Sequence, residues 1–240
     1  MALPPNRSPL RILLAEDTQI NQTVAIRLLE QRGHSISVVS NGKEALGALQ
    51  TTTFDLVLMD VQMPVMDGLV ATTAIREKEK ETGQHVPIIA MTASAMKGDR
   101  ERCLTAGMDG YIPKPLRANE LYQVVEQYAT ASDQDVDNHE IRPGPSDPLD
   151  LEKALDRMGG NRDTLKELVA IFFDECPTLL EQIRHAVAAH DPSELRRTAH
   201  ALKSAVGVFA ASPATEAAWR LESMAHDGNL KNVAEAWATL

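Results

Sequence analysis

The chain has 240 residues, a formal net charge of −10 and 43% hydrophobic residues, enough for one large domain or two small ones. The acidic balance, without any basic cluster, excludes a typical nucleic-acid binder. No apolar run reaches the roughly 18 residues that span a bilayer, and the two cysteines, Cys103 and Cys176, form no zinc or redox motif. We therefore expect a cytoplasmic, monomeric protein with reduced cysteines, although the parent protein could itself be membrane-anchored.

The first half of the chain alternates short apolar runs with amphipathic stretches. Strands are predicted at 10–15, 35–39, 54–59, 86–91 and 110–112, and helices at about 19–32, 41–50, 68–80, 95–106 and 117–129. The runs lack in/out alternation, as expected of strands buried on both sides. Five strands alternating with five helices predict an α/β domain over 10–129, a doubly wound parallel sheet with helices on both faces.

The composition changes after this domain. Residues 130–147 are acidic, contain Pro and Gly, and are poor in apolar residues, which is typical of a flexible linker. Residues 148–240 carry only helical signals. The last helical pattern reaches Leu240 without a capping signal, which indicates a truncated last helix or a fragment of a longer protein.

The helices of the second domain are delimited by caps and prolines. Asn161 can cap a helix across about 161–189, in which Pro177 predicts a kink. Asp191-Pro192 and Ser212-Pro213 each start another helix. Four main helices with short connections predict an all-α, antiparallel four-helix bundle.

Polar side chains follow the ends of four predicted strands. Glu16 and Asp17 follow the first strand, Asp60 the third, Thr92 the fourth and Lys114 the fifth. The carboxyl ends of adjacent parallel strands form one crevice, where three carboxylates would repel each other unless Mg²⁺ binds them. The ion can hold a phosphoryl oxygen, so that Asp60 can attack an anionic donor. Lys114 adds a positive charge and Thr92 a hydrogen bond.

A single histidine of the second domain has unusual surroundings. In the helix around 193–210, an apolar stripe is predicted from Leu195, Ala199, Leu202, Val206 and Phe209. His200 lies roughly 140° from the centre of that stripe, so it is expected to face outward. Lys203, one turn on, can neutralise a phosphate, and Gly207 leaves room for a partner to approach.

The first domain resembles the receiver domain of two-component response regulators. The motifs are Leu-Leu-Ala-Glu16-Asp17, Leu-Met-Asp60-Val-Gln-Met-Pro64-Val-Met-Asp67-Gly68, Met-Thr92-Ala and Tyr111-Ile-Pro-Lys114-Pro115. The resemblance implies a flavodoxin-like sheet of order 2-1-3-4-5 and phosphorylation at Asp60. It also implies Mg²⁺ held by Glu16, Asp17, Asp60 and the Gln62 carbonyl, switching through Thr92 and Tyr111, and a cis Lys114–Pro115 bond.

The second domain resembles the histidine phosphotransfer domain. The resemblance rests on Ala199-His200-Ala-Leu-Lys203-Ser-Ala-Val-Gly207 and on the flanking Leu155-Asp-Arg-Met-Gly-Gly-Asn161, Phe172-Phe173, Pro177 and Leu221-Glu222. The usual family version has Gly after the Lys, where this chain has Ser204. Ser is small, so the resemblance still implies a phosphorylated His200 that a receiver can approach.

The order receiver, linker, phosphotransfer domain resembles the C-terminal end of a hybrid sensor histidine kinase. No glycine-rich ATP box, Walker motif or kinase catalytic loop occurs, so the chain is expected to carry phosphate without using ATP itself. The expected partners are a sensor histidine kinase and a downstream receiver or phosphotransfer protein. Phosphate could pass from Asp60 to His200 or in reverse.

Two alternatives stay open at this point. The chain could be a Mg²⁺-dependent phosphatase with Asp60 as nucleophile, although Gln62 stands where such enzymes have a second acid. It could also be a receiver-regulated binding module whose bundle is only a scaffold. The placing of His200, Lys203 and Gly207 on one side of a helix speaks against that scaffold role.

Overall fold

The computed structural model describes residues 8–92, 97–129, 150–228 and 230–238. Within these ranges five strands form one parallel sheet in the order β2-β1-β3-β4-β5. The strands are β1 (Arg11–Ala15), β2 (Ser35–Val39), β3 (Leu56–Asp60), β4 (Ile88–Thr92) and β5 (Gly110–Pro113). The predicted doubly wound order is confirmed, and each strand end lies within two residues of its predicted position.

Helices cover both faces of this sheet. They are α1 (Gln19–Glu30), α2 (Gly42–Thr51), α3 (Gly68–Thr82), α4 (Lys97–Thr105) and α5 (Ala118–Ala129). Leu14 and Leu58 point into an apolar cluster with α1 and α5, whereas Leu13 and Val57 point into a second cluster with α2 and α3. Burial on both faces explains why these strands have no polar side.

The second domain is helical throughout its described part. Its helices are α6 (Leu151–Arg157), α7 (Arg162–Ala189), α8 (Pro192–Val208), α9 (Ser212–His226) and α10 (Val233–Ala238). The side chain of Asn161 caps α7, as predicted, and the side chain of Asp191 caps α8. Helix α7 continues through Pro177, and the kink there stays a prediction.

The predicted stripe of α8 is correct for four of its five residues. Leu195, Ala199, Leu202 and Val206 lie in the bundle core with residues of α7 and α9. Phe209 lies instead in a cluster that also contains first-domain residues, so its placement in the stripe was wrong. The reason is local, because α8 ends at Val208 and the helical projection no longer applies to the residue after it.

The two domains pack against each other through an apolar cluster that contains residues of both. The first domain contributes buried side chains from α1, α5 and the segment before α5, and the second contributes Met158, Leu168, Ala205, Val208 and Phe209. Helix α1 lies against α7 and α8. The predicted linker 130–147 lies outside the described residues. In the part of the chain that is described, no helix is both long and apolar enough to cross a membrane.

Candidate functional site

The three predicted acidic residues meet at the carboxyl ends of β1 and β3. Oxygen atoms of Glu16, Asp17 and Asp60 all lie within 4.8 Å of one another. They meet because β1 and β3 are paired neighbours, with Ala15 opposite Met59, so that the residues following both strands share one edge. The structure thus brings together the carboxylates that strand prediction placed at this edge.

Lys114 connects two of these carboxylates. Its Nζ lies 2.6 Å from Glu16 Oε2 and 2.7 Å from Asp60 Oδ2, and the side chain is only 4% exposed. Burial, together with the nearby charges of Glu16 and Asp17, raises the pKa of Asp60 even though Lys114 opposes the rise. Burial also raises the pKa of Asp17. One lysine therefore leaves the acidic cluster with uncompensated negative charge.

The donor set suits a hard divalent cation. Three carboxylate groups offer oxygen ligands, and Mg²⁺ prefers oxygen. Asn21 Nδ2 donates to Glu16 Oε1 at 2.9 Å, which fixes the orientation of that carboxylate. The excess negative charge beside a single buried lysine fits a bound cation. The fourth predicted ligand, the carbonyl of Gln62, stays a prediction.

Thr92 and Tyr111 lie where the strand assignments placed them. Thr92 is the buried last residue of β4, and Tyr111 is half-buried in β5. The guanidinium of Arg100 lies 5.8 Å from the centre of the Tyr111 ring, at the distance of a cation–π contact. Their proposed switching role stays a prediction.

His200 is buried, which corrects the expectation that it faces solvent. Only 6% of its surface is exposed. The position of His200 on the helix was predicted relative to the apolar stripe that faces the bundle core. That angle does not show that the first domain covers the opposite side of α8. Charges of Asp17 and Lys114 from the first domain act on His200, which places the histidine beside the acidic cluster.

Glu222 of α9 orients the His200 ring. Its Oε1 lies 2.7 Å from His200 Nδ1, and its Oε2 lies 2.5 Å from Lys203 Nζ. Lys203, predicted to be available for a phosphate, is therefore already ion-paired. The contact of Glu222 with His200 was not predicted, because Glu222 entered the sequence analysis only as part of a family resemblance. Its position next to the core residue Leu221 could have indicated that it lies at the edge of the bundle core.

The pair of His200 and Glu222 is electrostatically polarised. Burial lowers the pKa of His200 although Glu222 opposes this change, so the ring is neutral at pH 7. The pKa of Glu222 falls to about 2, because the contacts with His200 and Lys203 outweigh the effect of its burial. A neutral imidazole that donates from Nδ1 to a carboxylate keeps a lone pair on Nε2.

Gln62 joins the two sites. Its backbone N–H donates to Asp60 Oδ1 at 3.2 Å. Its side-chain amide fits with the nitrogen facing the His200 ring, 2.5 Å from Nδ1 and 3.2 Å from Nε2, and 3.3 Å from Glu222 Oε1. The amide oxygen then accepts from Arg196 Nη2 at 2.9 Å. The same residue therefore touches Asp60 on one side and His200 on the other, a contact that the sequence did not predict.

Gly207 lies at the domain contact, as its missing side chain suggested. A Cβ atom placed there would lie 3.9 Å from Cβ and Cγ of Pro115, which is ordinary contact. Pro115 follows Lys114 through the predicted cis peptide bond. Arg157 Nη1 donates to the carbonyl oxygen of Gly207 at the end of α8. The close approach that Gly207 permits is made here by the first domain.

Comparison with known proteins assigns both domains. Residues 12–126 match the response regulator receiver domain, and residues 167–240 match the Hpt domain. The chain is 36% identical to sensor histidine kinase GacS of Pseudomonas protegens, over 83% of this chain and 22% of that protein. It is 35% identical to sensor protein GacS of Pseudomonas syringae, over 91% of this chain and 25% of that protein. The chain thus spans about a quarter of the length of these relatives.

Solved structures also resemble the chain over about half its length. The receiver domain of sensor histidine kinase PA1611 from Pseudomonas aeruginosa, with a magnesium ion in its active-site cleft, is 41% identical (TM-score 0.47, 51% of this chain, 98% of that one). A chain from the co-crystal of yeast Ypd1 with the receiver domain of Ssk1 is 29% identical (TM-score 0.49, 52% and 91%). By its family matches, this chain contains a receiver domain followed by an Hpt domain.

Proposed function

We propose that this chain is a phosphorelay segment in which one phosphoryl group passes between Asp60 and His200. The observation that carries the proposal is the contact through Gln62, which touches the carboxylate of Asp60 and the ring of His200 at the same time. Two residue types that can both accept phosphate thus lie in one site. Phosphoryl transfer needs positioning and charge neutralisation more than covalent chemistry, and this site supplies both.

In the receiver site, Asp60 is the proposed acceptor. Glu16, Asp17 and Asp60 would hold Mg²⁺, and the ion when bound would neutralise charge on the phosphoryl oxygens. Lys114, held 2.7 Å from Asp60, is placed to pair with a phosphoryl oxygen once Asp60 carries an acyl phosphate. Glu16 keeps its orientation through Asn21 during this exchange.

In the transfer step, the lone pair of His200 Nε2 attacks phosphorus. The new P–N bond forms as the P–O bond to Asp60 breaks, and the electrons of that bond return to the carboxylate. Nδ1 keeps its proton, and the phosphorylated ring becomes positively charged. Glu222, at 2.7 Å from Nδ1, stabilises that charge and can accept the proton. The step is reversible, because both phosphorylated residues are high-energy species.

The partners follow from the domain order and from the relatives. The similar proteins are sensor and hybrid histidine kinases, so a phosphohistidine of such a kinase is the proposed donor to Asp60. A receiver domain on another protein is the proposed acceptor from His200. A phosphatase acting by general acid catalysis is disfavoured, because the residue two positions after Asp60 is the neutral amide Gln62 and not an acid.

The test labels the whole chain with radioactive acetyl phosphate and Mg²⁺. Wild type should acquire an alkali-labile label on Asp60 and an alkali-stable, acid-labile label on His200. Asp60→Asn should acquire neither, and His200→Gln should keep only the alkali-labile label. Alkali-stable label on His200→Gln would show that another residue accepts the phosphate and would remove His200 from the pathway.

A further inference from the structure

The surface around His200 is already occupied. Helix α1 of the receiver lies against α7 and α8, and His200, Ala205 and Val208 of α8 are buried. A second receiver that needs His200 would have to reach the same surface, because phosphoryl transfer requires the attacking nitrogen to be about 3–3.5 Å from phosphorus. Two receivers cannot occupy it at once.

A charged pair marks the outer part of this interface. Arg27 of α1 binds Glu167 of α7 through two parallel contacts, Nε to Oε2 at 2.9 Å and Nη2 to Oε1 at 2.7 Å. The side chains are 44% and 39% exposed, away from the buried acceptor site. The hydrogen bonds between the two side chains, together with their opposite charges, lower the pKa of Glu167 and raise the pKa of Arg27.

The chain's own receiver occupies the α7–α8 surface around His200. We propose that Glu167 determines which other receivers can dock there, and that it selects receivers presenting a cation at the place of Arg27. This inference rests on the proposed relay through Asp60 and His200. An outside receiver must therefore displace the chain's own receiver before it can exchange phosphate with His200.

Physical reasons support selection rather than strong attachment by this pair. A partly exposed ion pair adds little affinity, but two like charges facing each other are rejected more strongly. The tether keeps the cis receiver at high effective concentration, which favours it over a free competitor. Apolar contacts supply most of the attraction, and the Arg27–Glu167 pair adds preference for one kind of partner.

The test uses full-length chains that can only transfer phosphate to each other. A His200→Gln donor carries phosphate on Asp60, and an Asp60→Asn acceptor offers His200. In the matched pair, Glu167→Arg is added to the donor and Arg27→Glu to the acceptor. Each chain then repels its own receiver, while the donor's Arg27 still meets the acceptor's Glu167.

In the control pair, each chain also repels its own receiver, but the donor's receiver and the acceptor's Glu167 carry like charges. Here Arg27→Glu is placed in both donor and acceptor, so that two carboxylates face each other across the new interface. We expect the matched pair to form alkali-stable label about fivefold faster than the parent pair without charge changes, and about fivefold faster than the control pair.

Three results would overturn the inference. Equal rates for matched and control pairs would show that Glu167 selects nothing. A parent pair as fast as the matched pair would show that cis occupancy is no barrier. Absence of transfer between chains, when wild type still labels its own His200, would show that the surface serves only its own receiver. Failure of wild type to label His200 at all would instead contradict the proposed function.

Discussion

Asp60 and His200 are buried to similar degrees, at 1% and 6% exposure, but their surroundings are assembled differently. The carboxylate of Asp60 contacts Lys114 and Gln62, which follow strands of its own domain. His200 contacts Glu222 from the neighbouring helix of its bundle, and it contacts the side-chain amide of Gln62 from the receiver.

The difference teaches that one site is complete within its domain and the other is not. The receiver site exists wherever its parallel sheet folds, because the strand ends alone bring its charges together. The environment of His200 depends on whether a receiver is docked on α8. Changes at the receiver site should therefore affect stability most, and changes around His200 should affect transfer and docking.

Loss of the buried cation should have the largest effect on stability. Lys114→Met leaves Glu16 and Asp60 buried without the charge that pairs both of them. Breaking a buried ion pair in this way costs about 3–5 kcal/mol. In magnesium-free buffer at pH 7.5, the free energy of unfolding of the receiver, measured by urea denaturation, should fall by that amount.

The matched control for this change is Lys80→Met. Lys80 also forms an ion pair, with Glu77 at 2.6 Å, but both side chains are about two-thirds exposed. Its removal should change stability by less than about 1 kcal/mol. If both variants lose the same free energy of unfolding, burial of the Lys114 ion pairs does not contribute to stability.

Glu222→Gln should affect transfer and leave the receiver site intact. The amide keeps the shape of the side chain but loses the charge that stabilises the Nδ1–H of a phosphorylated His200. We expect transfer from Asp60 to His200 to slow about tenfold, the difference between a charged and a neutral hydrogen bond. Uptake of phosphate by Asp60 should not change.

Rapid-quench labelling separates the two rates of this experiment. Glu216→Gln, on the same helix but exposed and paired with Arg220, serves as the control. It should transfer as fast as wild type. If Glu222→Gln also matches wild type, the carboxylate has no role beyond packing.

Replacements of Gly207 should sharpen the comparison further, because this position belongs to the bundle but faces the receiver. Gly207→Ala adds a Cβ that fits 3.9 Å from Pro115, and it should leave docking unchanged while stabilising α8 by up to about 1 kcal/mol. Gly207→Leu must push against Pro115 and should weaken docking by about 1–3 kcal/mol.

Energy transfer between fluorophores on the two domains can measure this docking. The Ala and Leu variants should diverge, with Leu giving the lower transfer efficiency and slower phosphorylation of His200. Docking that is the same for Leu and Ala would contradict the close contact between α8 and Pro115.

The smallest expected effect is a pH dependence of docking. Burial under the receiver lowers the pKa of His200, so the docked state binds fewer protons than the open state below pH 6.5. His200 therefore favours docking above pH 6.5, and this contribution is lost as the pH falls from 6.5 downward. Glu222, with its pKa at about 2, stays charged in this range and opposes the loss. The positive charges of Lys114 and Lys203 add to the loss, because both lower the pKa of His200.

Small-angle scattering at pH 7.5 and 5.5 can detect this opening. Wild type should become more extended at the lower pH. His200→Gln should change less, because its side chain has no proton to gain. A larger expansion for His200→Gln than for wild type would contradict the prediction that protonation of His200 weakens docking.

Much of the fold followed from short-range pattern. The apolar runs predicted all five strands, but β3 begins at Leu56 and β4 at Ile88, two residues later than predicted. Phe54, Val86 and Pro87, which lie just before these strands, are apolar too, so hydrophobicity alone does not show where pairing with the neighbouring strand begins. Val57 illustrates the point, since its N–H bonds to the carbonyl oxygen of Pro87, just before β4.

The receiver site was predictable for a physical reason. Residues after adjacent parallel strands must share one edge, so the strand pattern alone places Glu16, Asp17 and Asp60 together. The surroundings of His200 were not predictable in this way. Helical periodicity located its angle on α8, but that angle describes only the packing of α8 within its own bundle.

The sequence by itself determined two domains, their folds, the acidic cluster and the two candidate acceptors. Tertiary structure alone decided that the domains pack together, that Gln62 touches His200, and that Arg27 pairs with Glu167, 140 positions away. Local patterns arise from the period of the backbone and the burial of one face. Contacts between distant residues depend instead on how two finished surfaces fit, which no short segment of the sequence encodes.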